Sequence, residues 1–168
     1  MTENGYIRGP FGSSLKRGEM KESGIPVYEQ KNAIYNNRDF RFFIDEEKLQ
    51  KLKRFQVKTN NLIISCSGTV GKISIIKEND KKGIISQTLL ILRPDTRKIG
   101  LNFLFYFLAS SIGFKLITQV SHGSVQVNIA SRATVESIPI TLPSPRTKSN
   151  SICIIQPRRQ NRLATPPE

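Results

Sequence analysis

The chain has 168 residues, 38% of them hydrophobic, which is enough for one domain with its own core and an appendage, with no need of a disulfide or metal to fold. Its 26 Lys and Arg against 13 Asp and Glu give a formal charge of +13, an excess that bears on partners rather than on fold: nucleic acid first, an anionic membrane second. Cys66 and Cys153 are the only cysteines and lie far apart, which excludes a disulfide framework and a zinc module and fits a reducing, cytosolic compartment, with Cys66 packed as a small apolar residue.

The basic excess is spread along the chain. Residues 1–143 carry 21 Lys and Arg against 12 Asp and Glu, a net of +9, and residues 144–168 carry 5 against 1, a net of +4. The start of the chain lacks the apolar segment of a signal peptide. The most apolar run, Leu101–Ile117, is short for a bilayer and carries Asn102 and Lys115, so it reads as a buried helix and no membrane association is expected.

In chain order, residues 1–24 are rich in Gly, Ser and charge. Arg8 to Lys16 reads as a turn-rich loop that the chain enters with no secondary structure ahead of it. Residues 25–30 read as a short strand, with Pro26 near its start, where the missing N–H does least harm. Residues 33–37 read as loop or strand end, and the Asn36-Asn37 pair favours a turn. Asp45–Arg54 has helical character: Leu49 and Leu52 sit three apart, Asp45, Glu46 and Glu47 lead, and Lys51, Lys53 and Arg54 trail, the order the helix dipole favours.

Two apolar, β-branched runs, Leu62–Ile64 and Ile73–Ile76, flank a loop of Ser, Gly and Thr and predict a hairpin. Asp80–Gly83 reads as a turn and Ile84–Leu92 as one further strand, stopped by Pro94. Asn102 leads a helix that Gly113 interrupts and that runs on to Val120. His122–Asn128 is polar and small, an exposed loop. Ser131 caps a short helix through Ser137, and Ile138–Pro143 reads as an extended exit strand. Residues 144–168 hold four prolines, scattered Arg and Lys and no apolar period, and are expected to be disordered. The expected architecture is α+β, a mixed, twisted sheet with a few packed helices over 1–143, followed by a tail over 144–168.

The hairpin loop invites two nucleotide-binding readings, and both fail. A phosphate-binding loop needs Gly five positions before Gly71, where Cys66 stands, and Ser or Thr after Lys72, where Ile73 stands. The Gly68-Thr69-Val70-Gly71 tetrapeptide fits the KH pattern, but KH modules place it between helices and here the flanks are strands. A small magnesium-dependent nuclease would draw on Asp39, Glu46 or Asp80, and Glu46-Glu47-Lys48 imitates an acid-x-Lys site; a solvated first helical turn accounts for it better. His122, the only histidine, has no acid near it in sequence and reads as a loop residue. No catalytic residue, metal ligand or cofactor is assigned.

Four polar loops remain, at 8–17, 30–41, 65–72 and 121–132. Each carries Arg or Lys with Ser, Thr, Asn or Gln, the residue types that contact phosphates and base edges. Arg8, Lys16, Arg17 and Lys72 are the candidates for phosphates. The candidates for base contacts are Lys31, Asn32, Asn36, Arg38 and Arg41 in the second loop, Ser67 and Thr69 in the third, and His122, Ser124, Gln126, Asn128 and Arg132 in the fourth. Four such loops on a +9 domain point to double-stranded DNA.

Residues 8–143 also resemble a target-recognition domain of the DNA specificity subunit of type I restriction–modification systems. The resemblance rests on elements in order: Gly9-Pro10-Phe11-Gly12-Ser13-Ser14-Leu15, Gly24-Ile25-Pro26-Val27-Tyr28, the 62–72 strand and loop, Gly83–Pro94, Gly123–Ile129 and Ile138–Pro143. It implies a non-catalytic, sequence-specific DNA-binding role. Partner methyltransferase (modification) subunits would hold S-adenosylmethionine and the restriction subunit ATP, with no cofactor bound here. Against the family pattern, the sequence reads as starting inside the domain, as holding one recognition domain instead of two, and as replacing the usual long helix after Pro143 by Ser144–Asn150. A non-catalytic assembly partner acting by protein contacts is the remaining alternative.

Overall fold

The computed structural model describes Thr2, residues 5–120 and residues 127–142. The chain divides into two compact units, Met1–Ile138 and Pro139–Glu168, and the architecture below belongs to the first. The tail expected over 144–168 and its Cys153 lie outside the described residues.

The expected α+β class is observed. A four-stranded sheet runs in the order β1 (Tyr6–Arg8), β7 (Leu89–Leu92), β4 (Leu62–Ser65), β5 (Ile73–Ile75), antiparallel throughout. A three-stranded sheet, β3 (Phe43–Ile44), β2 (Ile25–Tyr28), β6 (Ile84–Ile85), is mixed: β2 pairs antiparallel with β3 and parallel with β6. A third pair joins β8 (Thr118–Val120) to β9 (Val127–Ile129).

The central strands β4 and β7 are buried at every position. Their near-continuous apolar sequences follow from this, since neither face meets water. On β2 and β6 the pleat divides the side chains between two cores. Val27 and Ile84 join Ile44, Leu49 and Leu52, while Tyr28 and Ile85 join Ile7, Ile63, Leu89 and Ile91.

Helix α2 (Glu46–Lys51) forms as its charge order predicts, with the Asp45 carboxylate accepting from Lys48 N at 2.8 Å. Ser131 caps α5 (Arg132–Glu136) through a bond from Thr134 N.

Several elements differ from the sequence reading. β1 stands ahead of the first loop; three residues are too few to show a period, and pairing with Leu90–Leu92 creates the strand. Residues 33–37 are not strand: α1 (Gln30–Ile34) forms instead, because Glu29 N donates to Asn32 Oδ1 at 2.7 Å and buries Asn32 and Ala33. The predicted turn does end it, with Asn36 at φ 50°. The predicted strand 84–92 is two strands, since Ser86–Thr88 turns the chain from one sheet into the other, with Leu89 N donating to Ser86 O.

The long helix breaks at Ser110, one turn before the glycine. Ser110 is extended, and its hydroxyl caps the second helix through Gly113 N, giving α3 (Leu101–Ala109) and α4 (Ser111–Ile117). Gly113 instead provides clearance: a Cβ there would lie 2.0 Å from Phe107 O. No strand forms over 138–142. No helix among the described residues is long and apolar enough to cross a membrane. Cys66 is buried, and that burial pushes its thiol up to about 11, the inert small apolar residue expected.

Candidate nucleic-acid interface

The β4–β5 hairpin loop is a rigid bracket. Ser65 N donates to Lys72 O at 2.9 Å, Lys72 N donates back to Ser65 Oγ at 2.9 Å, and Gly71 N donates to Ser65 O at 2.8 Å. The Ser65 hydroxyl donates to Thr69 O. Gly68 and Gly71 take φ of 57° and 80°, the left-handed region that explains both glycines. From α1, the Gln30 amide donates to the Ser67 and Thr69 carbonyls, fastening the second loop to the third. Ser67 and Thr69 are exposed at the tip and Lys72 is half-buried at its base.

The first and second loops meet in an open groove of about 780 Å³. Gly9 makes the junction: its N–H donates to Leu89 O at 2.9 Å, and a Cβ there would lie 1.9 Å from Ser86 O, so only glycine fits. Lys16, Arg17, Lys31 and Arg41 line the groove, against one carboxylate among the described residues, Glu29. Arg41 Nη2 pairs with Glu29 Oε1 at 2.8 Å, and its guanidinium lies 4.3 Å from the centre of the Phe42 ring. Arg17 stands over the same ring at 5.6 Å, so Phe42 orients two guanidinium groups.

The Ser86-Gln87-Thr88 turn also lines the groove. The Ser86 and Thr88 hydroxyls bond each other at 2.8 Å, and Gln87 is exposed. A carboxamide flanked by hydroxyls and guanidinium groups is a set that can hydrogen-bond base edges, and the surrounding cations suit phosphates.

The structure thus gathers Lys16, Arg17, Lys31 and Arg41 in one groove and ties the hairpin carrying Ser67, Thr69 and Lys72 to it through Gln30. Arg8, at the end of β1, lies 5.9 Å from the Phe11 ring centre. Asn36 is exposed, and its side-chain oxygen accepts from the Ser74 hydroxyl.

Two predicted contacts are corrected. Asn32 is 0% exposed, and its amide is spent on Asn37 O, Asn37 Oδ1 and Asp39 O at 3.0–3.3 Å. Arg38 turns inward: it donates to Asn37 O, Ile75 O and Ser74 Oγ, and pairs with Asp80 Oδ2 at 2.8 Å. Asn32 holds the backbone of the second loop, and Arg38 ties that loop to Ser74, Ile75 and Asp80, with its remaining Nε donor buried.

Arg132 on α5 pairs with Glu136 at 2.9 Å, away from the groove lining, and Asn128 lies half-buried on β9. His122, Ser124 and Gln126 lie outside the described residues.

Gln30 lies in the second loop singled out from the sequence, but its tethering role was not legible, and neither Phe42 nor the 86–88 turn was legible as part of the site. The one available signal was the polar Ser-Gln-Thr triplet interrupting an apolar run. Of the carboxylates considered for metal, Asp80 is taken by Arg38, Glu46 accepts from Gln50, and Asp39 is exposed. No three His, Cys, Asp or Glu among the described residues gather closely enough to hold a metal ion.

Comparison with known proteins adds three findings. The model of the family described as type I restriction modification DNA specificity domain matches residues 12–157. Among solved structures, a chain from work on complex assembly and conformational transition of the type I R-M system superposes with a TM-score of 0.56 at 15% identity, over 86% of this chain and 33% of that one. The present chain therefore spans about a third of the length of that solved chain. No curated protein matches.

Proposed function

The chain belongs to the type I restriction modification DNA specificity domain family, and from that premise we propose that it binds double-stranded DNA sequence-specifically and directs partner subunits to the site it reads. The observation that carries this reading is the groove, where four cations and a free carboxamide converge from four separate stretches of chain. Lys16 and Lys31 would bind phosphates as point charges. Arg17 and Arg41, ordered by Phe42, can present their donors to guanine O6 and N7, and Gln87 can pair with adenine N6 and N7.

In this role the chain itself is non-catalytic. It would deliver the methyltransferase (modification) subunits and, through them, the restriction subunit to DNA, and would bind neither S-adenosylmethionine nor ATP. The test is selection from a random duplex pool by the purified protein, followed by plasmid incubation with and without magnesium. Enrichment of one sequence and no cleavage are the expected results. An unenriched pool, or cutting by pure protein, would overturn it.

A further inference from the structure

A second basic cleft, of about 500 Å³, is lined by Tyr6, Ile7, Gln56 and a cluster of cations: Lys53, Arg54, Lys58, Arg93 and Arg132. No Asp or Glu among the described residues lines it. The register of β1 on β7 fixes its place. Arg8 and Leu90 lie toward the groove described above, while Tyr6 and Leu92 lead to Gly5 and Arg93, whose backbones bond at 2.8 Å. The two basic surfaces therefore occupy opposite ends of one strand pair, and of the cations in the second only Arg132 belongs to a loop singled out from the sequence.

The charge state of this cleft is unlike that of its surroundings. Nearby on α2 the lysines are paired, Lys48 with Glu19 at 2.8 Å and Lys51 with Glu47 at 2.6 Å. Arg132 has Glu136 at 2.9 Å. Lys53, Arg54, Lys58 and Arg93 make no ion pair among the described residues, and the first three are exposed.

Arg93 is the deepest of them. Its guanidinium is half-buried and, among the described residues, is met only by neutral acceptors, Gln56 O at 2.7 Å and Asn61 Oδ1 at 3.3 Å. A guanidinium partly withdrawn from water with no carboxylate beside it is costly, and an incoming anion relieves that cost. Burial also pulls its pKa below the ordinary arginine value. A lining of two lysines and three arginines matches the strongly positive surfaces of protein–DNA interfaces.

We infer that this cleft is a second phosphodiester-binding site, which grips the backbone of DNA independently of sequence while the first groove reads bases. The inference rests on the DNA-binding role proposed above. Strands rise roughly 3.4 Å per residue, as do stacked base pairs, so two sites a few residues apart can be bridged by one duplex that extends past the bases being read.

The experiment measures affinity for a selected duplex and for a random-sequence duplex across a salt series, using the full chain. Three proteins are compared: wild type, the cleft variant Lys53→Gln/Arg54→Gln/Lys58→Gln, and a control of equal charge, Lys77→Gln/Lys81→Gln/Lys82→Gln. All six side chains are exposed, and Arg93 is left intact because it anchors Gln56. The expected result is a loss of about tenfold or more with the cleft variant, by the same factor on both duplexes, and a log–log salt slope shallower by about 2 to 3. The control should change both far less.

A cleft variant that matches the control while wild type binds DNA would overturn the inference and leave the DNA-binding role standing. Wild type that binds neither duplex would overturn the role itself, and the inference with it. A cleft variant that keeps DNA affinity but no longer co-purifies with a modification subunit would assign the cleft to protein contact instead.

Discussion

Arg38 and Asp80 meet at 2.8 Å with their side chains only 23% and 11% exposed, so this pair is shielded from salt and solvent in a way the other ion pairs are not. Burial pushes the Asp80 carboxyl up, but hydrogen bonds from Arg38 and from Lys77 N outweigh it and hold the group below the usual aspartate range. A lowered folded-state value means the stabilisation is complete above the unfolded-state value and is lost as pH falls through the folded one. Asp80→Asn is therefore expected to cost about 2 kcal/mol at neutral pH, with the gap to wild type closing below about pH 4. Urea unfolding at both pH values checks this, and a gap that stays constant would refute it. Asn32→Ala, which leaves Glu29 N and the 37–39 carbonyls without their partner, should cost about 2 kcal/mol or more. A side chain that served only DNA would leave stability unchanged. Gln87→Ala is the converse case: stability should stay within about 0.5 kcal/mol while discrimination between preferred and unpreferred duplexes falls by about 1 to 3 kcal/mol. Residue types alone could not separate these roles. Asn32, Arg38 and Arg41 carry the same kind of polar signal, and only tertiary burial turns the first two inward and leaves the third on the groove.

The β4–β5 hairpin was the most legible element, because two β-branched runs around a Gly-rich loop state the same structure at every level. What its loop does was not legible, since the partners of Gly68 and Gly71 come from distant chain. Gly71 sits at φ 80° with the position of a Cβ 2.5 Å from the Phe114 ring of α4, so Gly71→Ala combines backbone strain with a clash. It should cost about 2 kcal/mol or more in thermal unfolding. Gly68→Ala, at φ 57° with only the Gln30 amide 3.3 Å away, should cost about 1 kcal/mol. Equal effects at the two positions would contradict the bracket described here. The division of 84–92 into β6 and β7 shows the opposite limit. Both halves are apolar, and only their pairing with different sheets reveals that the polar triplet between them is a turn on the groove wall.

At the scale of the molecule, the +9 of residues 1–143 is not evenly spent. Part of it is cancelled by ion pairs such as Lys21–Asp45 and Lys48–Glu19, and part gathers in the groove around Phe42. Composition made an anionic partner legible, and the ordered series of motifs made the family legible. Neither could show which cations converge, because convergence is set by the sheet pairings that bring residues 10–17, 29–31, 41–42 and 86–88 together. The most direct test of the DNA-reading account is the affinity for a selected duplex between low and moderate salt, measured for wild type and for Lys16→Gln/Arg17→Gln/Lys31→Gln/Arg41→Gln. The account predicts a wild-type log–log slope of about −3 or steeper, and a variant that has lost most of that slope together with its preference for the selected sequence. A wild-type affinity that is flat with salt, or a variant that still discriminates as wild type does, would contradict it.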